Sequence, residues 1–346
     1  MFMKKNYVHI ASEDVMAETQ KLEKIETFGK IALFGAAGAI GSSLADALEQ
    51  DGQHYRVVGR DRARLEKAFS SSNAEIVTWN PDDPASVRQA ARGIDTIIYL
   101  VGVPYNHFEL HPKTMQQTLD GAIAEGVRRI LLVGTVYPYG TPQTTPVTED
   151  HPRNPTTFKG RMRKQQEEIL LAADAAGEIE AVILRLPDFY GPGVEASFLD
   201  RAFKAAVSGG TADLIGPIDT PHEYVYVPDV GRVALALAAK PEARGRWWNL
   251  AGAGVTSQEQ MAEMAFAATG NKMKTRVAGK TMLRIIGLFN PFMRELVEMH
   301  YLQTTPVLMD DTALTNLLGG ISKTSYQEGV KRSIEHLRSS GNSSTR

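Results

Sequence analysis

Three glycines at intervals of three, Gly35-Ala-Ala-Gly38-Ala-Ile-Gly41, sit between an apolar run, Ile31-Ala-Leu-Phe34, and a helical stretch, Leu44-Ala-Asp-Ala-Leu48. That spacing suits binding of a pyrophosphate. The first glycine permits the tight turn, the second lets backbone N–H groups approach the phosphates, and the third lets the helix pack on the strand. Ala37, Ala39 and Ile40 complete the same candidate cradle. An ordinary Gly-rich turn is the alternative. The strand–turn–helix setting and the alternating units that follow favour the cofactor reading. After the second apolar run comes Gly59-Arg60-Asp61-Arg62. A carboxylate at this point would bind the ribose diol of NAD, whereas Arg60 suits a 2′-phosphate and so NADP. Asp61, one residue later, keeps NAD open, and Arg60 as a solvated turn residue is the bland alternative. Asn80 is expected near the adenine. Val101, Gly102 and Val103 close the fourth strand, where backbone would pass the cofactor's ribose.

The elements that must position these groups follow a strict order. Short apolar runs at 31–34, 55–58, 75–78, 96–101, 129–133 and 181–185 read as strands, separated by helices at about 62–69, 85–91, 113–125 and 159–176. Runs this apolar imply burial on both faces, and strand–helix alternation implies right-handed crossovers. The expected fold class is α/β: a Rossmann-type doubly wound parallel sheet with a smaller C-terminal substrate-binding domain. The expected boundaries are an N-terminal extension over 1–28, the dinucleotide domain over 29–187 with 220–250 returning to it, and the smaller domain over 188–219 and 251–338. Ser12 is a candidate cap for a helix in the extension, and 339–346 reads as a frayed polar tail. Later helices are expected at about 230–239, 257–269 and 325–337, with Met261, Met264 and Phe266 in core and Trp247-Trp248 on a strand against the sheet.

The G-x-x-G-x-x-G turn resembles the short-chain dehydrogenase/reductase superfamily, in particular its extended, NAD(P)-dependent epimerase/dehydratase-like branch. Gly134-Thr-Val-Tyr-Pro-Tyr-Gly140, Leu184-Arg-Leu-Pro-Asp-Phe-Tyr-Gly-Pro-Gly193 and Glu223-Tyr-Val-Tyr-Val-Pro-Asp-Val230 resemble that branch's later motifs in the same order. The resemblance implies a nicotinamide cofactor, with Pro187 among the residues that touch it. It also implies a Ser/Thr that orients the substrate oxygen and a Tyr-x-x-x-Lys pair on the next helix, the Tyr moving a proton. Thr135 falls at the Ser/Thr position, or is only a β-branched strand end. The Tyr-x-x-x-Lys pair is missing: Lys159 falls at the Tyr position and Arg163 at the Lys position, and a register one residue later gives Gly160 and Lys164, again without a phenol. A spacing of four keeps them on one helical face. Arg163 can hold ribose hydroxyls but cannot exchange a proton. Lys159 or the nearby Tyr137 would have to do so. The alternative is a solvated basic helix start, with Lys159, Arg161, Arg163 and Lys164 all outward. Tyr139 matches the family's structural tyrosine.

Two substrate positions also depart from the pattern. Asp188 stands where nucleotide-sugar members carry Asn, and His222 where they carry an Arg for the diphosphate. A carboxylate gained and a fixed cation lost disfavour a dianionic sugar nucleotide. Asp188, Tyr190, His222 and the 280–302 segment are the expected substrate set. The resemblance further implies a homodimer through the helices at 113–125 and 159–176.

Composition narrows the rest. Among 346 residues there are 38 Lys and Arg against 40 Asp and Glu, a net charge of −2, so nothing basic overall points to nucleic acid or to a membrane. Cysteine is absent, which excludes disulfides and thiolate chemistry. No H-E-x-x-H or G-x-S-x-G motif occurs, and His107 and His111, ahead of Pro112, make a poor metal pair, so no metal is expected. The 282–302 stretch carries too many charges for a membrane span. A cytoplasmic protein is expected. The leading expectation is an NAD(P)-dependent oxidoreductase or epimerase/dehydratase-like enzyme on a small carbonyl or alcohol substrate. A non-catalytic NADP-binding redox sensor and, less favoured, a nucleotide-sugar epimerase are the alternatives.

Overall fold

The computed structural model describes residues 29–195, 197–289 and 291–343. The extension over 1–28, with its expected helix after Ser12, lies outside them, as do the last three residues of the expected tail.

Six strands alternate with five helices: β1 (Ile31–Phe34), α1 (Ala39–Gln50), β2 (Tyr55–Gly59), α2 (Arg62–Ala68), β3 (Glu75–Thr78), α3 (Pro84–Ala91), β4 (Thr96–Tyr99), α4 (Leu110–Ala124), β5 (Arg129–Thr135), α5 (Phe158–Ala175) and β6 (Glu180–Leu186). Then come β7 (Asp188–Tyr190), α6 (Phe198–Ser208), β8 (Ala212–Ile215), β9 (Tyr224–Tyr226), α7 (Val227–Ala239), β10 (Arg246–Asn249), α8 (Gln258–Thr269) and β11 (Thr275–Ala278). The chain ends in α9 (Lys280–Gly287), α10 (Pro291–Met299), α11 (Tyr301–Thr304), α12 (Thr312–Leu318) and α13 (Tyr326–Ser343).

The main sheet is wholly parallel, in the order β10-β6-β5-β4-β1-β2-β3. Both faces are covered, which is why its strands read as unbroken apolar runs. One face packs Leu33, Val57, Leu131 and Leu184 under Leu44 of α1 and Val230 of α7. The other packs Phe34, Ile97, Leu132 and Ile183 under Val87, Met115 and Leu170 from α3, α4 and α5. The Trp247-Trp248 run does form a strand: β10 extends the sheet beside β6, so the chain returns to the first unit after leaving it. A separate core, with Tyr190, Phe203, Leu214, Met261, Phe266 and Val330, gathers α6, α8, α13 and the β8–β11 pair. The final helix runs on to Ser343, past the point where the polar composition suggested fraying. Among the described residues no helix is long and apolar enough to cross a membrane.

Candidate active site

At the C-terminal end of β1 the three glycines play distinct parts. Gly35 has φ of +84°, and a Cβ there would come within 2.8 Å of the Leu100 and Val101 backbone. A Cβ on Gly41 would lie 1.9 Å from the Ala36 carbonyl oxygen, so α1 approaches the turn closely only because that side chain is missing. Gly38 is the opposite case. It is the N-cap of α1, no side chain caps the helix, and a Cβ there would meet nothing within 4 Å. Open space in front of an uncapped helix N-terminus fits the pyrophosphate of a dinucleotide. Two loops reach the same place. Val101 to Val103 leave β4 beside Gly35, and Pro187 leads from β6 into β7 and on to Gly193, where a Cβ would be 3.7 Å from Ala39. Convergence at the carboxyl ends of the strands is where such sheets bind nucleotides.

At the end of β2, Arg60 is exposed. Asp61 is committed elsewhere: its Oδ1 accepts from Arg64 N at 3.1 Å and caps α2. Asn80, also exposed, folds its own turn, with Oδ1 accepting from Asp82 N at 3.1 Å.

The expected catalytic residues gather where β5 meets α5. Thr135 ends β5, and its Oγ1 accepts from Tyr137 N at 3.3 Å. A 3₁₀ turn over Tyr137–Tyr139 then splits two phenols. Tyr139 points inward, its hydroxyl donating to Asn249 Oδ1 at 2.8 Å beneath the Arg185 guanidinium. Tyr137 stays partly open and is hydrogen-bonded to Tyr105. Burial, reinforced by the Asp188 carboxylate, pushes the Tyr137 phenol up to about 12. Tyr105 is raised further, by burial first and then by Tyr137.

Thr157 caps α5, and the first turn that follows is not the solvated basic run that composition allowed. Arg161 is exposed, but Lys159 is 1% and Arg163 7% accessible. The Lys159 ammonium donates to Glu295 Oε2 at 2.5 Å and to Glu298 Oε2 at 2.8 Å, both on α10. It lies 4.9 Å from the Tyr105 ring centroid and 5.6 Å from that of Phe108. Arg163 donates from Nη1 to His111 Nδ1 at 3.2 Å and from Nη2 to the Val133 carbonyl at 3.3 Å. Burial, with Arg163 next, pulls His111 down to about 2, so its ring stays neutral and can accept that bond. His107, the other member of the His pair, is exposed against Glu109. Among the described residues no group of acidic and histidine side chains could hold a metal.

A cavity of about 700 Å³ opens beside this corner. Tyr105, Tyr137 and Asp188 supply polar groups, while Phe189, Leu199, Leu214, Leu283 and Leu296 are among its apolar walls. His222 stands behind Asp188, its Nε2 3.1 Å from Asp188 Oδ2. Of the four expected catalytic residues, then, only Tyr137 lines the cavity; Thr135 sits just behind it, and Lys159 and Arg163 are engaged in the layer beneath. Of the expected substrate residues, Asp188 lines it and His222 backs it, whereas Tyr190 is packed among Phe203, Tyr226 and Tyr326. Tyr105 went unread, and Glu295 and Glu298 were placed only within the 280–302 segment, with no role of their own. Tyr105 follows Val101-Gly-Val-Pro104 at the end of the fourth strand, a position that could have marked it. The two glutamates, one helical turn apart within a stretch otherwise read as apolar, carried only a weak signal.

A family model described as the NAD dependent epimerase/dehydratase family matches residues 31–251. A curated relative, UDP-glucose 4-epimerase of Corynebacterium glutamicum, is 23% identical over 274 residues, spanning 72% of this chain and 83% of its own. Among solved structures, UDP-glucuronic acid 4-epimerase from Bacillus cereus in complex with NAD superposes with a TM-score of 0.75 at 18% identity, over 90% of this chain and 99% of that one. An epimerase from Methanothermobacter thermautotrophicus gives a TM-score of 0.79 at 17% identity, over 92% and 95%. The chain belongs to the NAD dependent epimerase/dehydratase family.

Proposed function

We propose that this member of the family is an NAD(P)-dependent oxidoreductase that interconverts a small carbonyl compound and its alcohol, with Tyr137 moving the proton. The observation that carries the reading is the Tyr137 phenol on the cavity wall, linked to Tyr105 and raised to about 12 beside Asp188. At neutral pH the phenol keeps its proton and can donate it to an oxygen that gains negative charge, although the upward shift makes it a weaker acid than a free tyrosine. The nicotinamide cofactor supplies or accepts the hydride when bound. Thr135 orients the substrate oxygen. Lys159 acts as a positioning residue, setting a positive charge behind the Tyr105 ring. Arg163 braces the corner through His111 and Val133, and its remaining N–H donors serve the ribose. NADP is assigned as the cofactor because Arg60 is exposed while Asp61 is occupied as a helix cap.

A second reading, epimerase or dehydratase chemistry on a nucleotide sugar, is favoured by the names of the relatives and by Arg201 and Arg276 among the cavity's lining. Asp188 and His222 at the inner end weigh against it. The cavity itself weighs against a protein that only senses NADP. The test is NADPH consumption over a panel of small aldehydes and ketones, with UDP-glucose and dTDP-glucose turnover assayed in parallel. The expected result is reduction of a carbonyl, with Tyr137→Phe lowering kcat by about 10²–10⁴ at unchanged NADPH affinity. Turnover of a nucleotide sugar alone would establish the second reading. Tight NADPH binding without turnover of either class would establish a binding protein.

A further inference from the structure

The segment from β11 through α9 differs from the rest of the surface. Among the described residues, the exposed large apolar side chains are Val277, Met282, Ile285, Ile286, Leu288 and Phe289 here, with only Phe158 and Val255 elsewhere. Exposure reaches 54% at Ile285 and, in the turn after α9, 78% at Leu288 and 87% at Phe289, so the apolar side chains form a contiguous exposed patch. Successive helical residues turn by about 100°. That places Ile285 opposite Leu283 and Gly287, the two buried positions of α9, with Met282 next to it and Ile286 nearer the buried side. Lys280 and Arg284 stack one turn apart on a flank of the same helix.

The charge is equally one-sided. Between Asn271 and Arg294 there is no Asp or Glu, while Lys272, Lys274, Arg276, Lys280, Arg284 and Arg294 are all cationic. Arg276 pairs with Asp213 and Arg294 lies near Glu295; the other four make no ion pair among the described residues. An outward apolar arc with unpaired cations along one flank is the make-up of a helix that lies in a lipid headgroup layer. A second copy of this chain is a poor occupant, because a two-fold contact through the segment would set cations against cations with no acid to relieve them. Met282 and Ile286 are exposed and also line the 700 Å³ cavity, so the same face leads into it.

We infer that α9 and the turn after it seat the protein peripherally on an anionic lipid surface, with Ile285, Leu288 and Phe289 entering the headgroup layer and Lys280 and Arg284 meeting lipid phosphates and carboxylates. The overall charge of −2 conceals this segment, since the balancing acids lie elsewhere in the chain. The docking does not depend on the reaction assigned above.

The test is co-sedimentation of the full chain with phosphatidylcholine vesicles, with and without about 30% phosphatidylserine, at two salt concentrations. Binding is expected to the anionic vesicles, weakening with salt and at least about tenfold weaker on the neutral ones. Ile285→Asn with Phe289→Asn, and separately Lys280→Glu with Arg284→Glu, should each lower partitioning about tenfold or more. None of these four residues lines the cavity, and melting temperature and cofactor binding should not change. Equal partitioning of wild type and variants, or none on either vesicle, would overturn the inference. So would concentration-dependent self-association by light scattering that the same substitutions abolish, which would make the face a contact between copies.

Discussion

The two ends of the cleft are built on different principles. At the dinucleotide end, Gly35 and Gly41 make room for backbone, of Leu100 and Val101 and of Ala36, and Gly38 leaves open space before α1. At the expected catalytic end, Lys159 is held by carboxylates 136 and 139 residues further along the chain, and Tyr137 owes its environment to Tyr105, from the segment after β4, and Asp188, from β7. The first end is sensitive to a single added carbon. The second depends on partners that the fold brings from distant parts of the chain.

Gly41→Val should show the first principle at its largest. Its Cβ would overlap the Ala36 carbonyl, so a stability loss above about 3 kcal/mol is expected in denaturant unfolding, with cofactor binding lost. Gly38→Ala is the matched control: the added methyl meets no protein atom, so the melting temperature should hold while NADPH affinity falls. Equal effects at both positions would mean that Gly38 serves the turn and not a ligand.

The second principle is tested by Glu295→Gln with Glu298→Gln. Leaving the nearly inaccessible Lys159 ammonium with amides in place of carboxylates should cost about 3 kcal/mol and loosen α10 from α5. An unchanged unfolding curve would show that this cluster does not tie the two helices together. At the far end of the dinucleotide site, Arg60→Asp should weaken NADP binding roughly tenfold to a hundredfold and NAD binding less, by calorimetry. Tighter NAD than NADP binding in the wild type would reverse the cofactor assignment.

The smallest effect expected is one of pH. Burial and Arg163 hold His111 at about 2, below its ordinary 6.5. The folded state thus refuses a proton that the unfolded chain accepts. The stability His111 contributes is complete above pH 6.5 and is lost progressively as pH falls toward 2. His111→Asn keeps an acceptor for Arg163 and removes the titration, so its unfolding free energy should fall less than the wild type's between about pH 6.5 and 4.5. Glu223, raised to about 7 by burial, works in the opposite sense, its contribution being lost as pH rises through that value. It is common to both proteins and cancels in the difference.

The alternation of apolar runs and helical stretches, the glycine turn and the order of later motifs were all legible in the amino-acid sequence. Each is a local statement about backbone sterics or about which face of one element is apolar. For the same reason Lys159 and Arg163 could be placed on one face of α5. Which face was buried was decided by α10 and α4, whose Glu295, Glu298 and His111 meet those cations only in the folded chain. Tyr190 shows the converse. It was expected to face the substrate, but packing against Phe203, Tyr226 and Tyr326 draws the ring into a core. The net charge was equally silent about α9, because it sums acids and bases that the fold places on different surfaces. Local sterics act over a few residues and leave a mark on those residues. Pairing, burial and surface charge depend on which distant segments the fold brings together, and only the tertiary structure decided them.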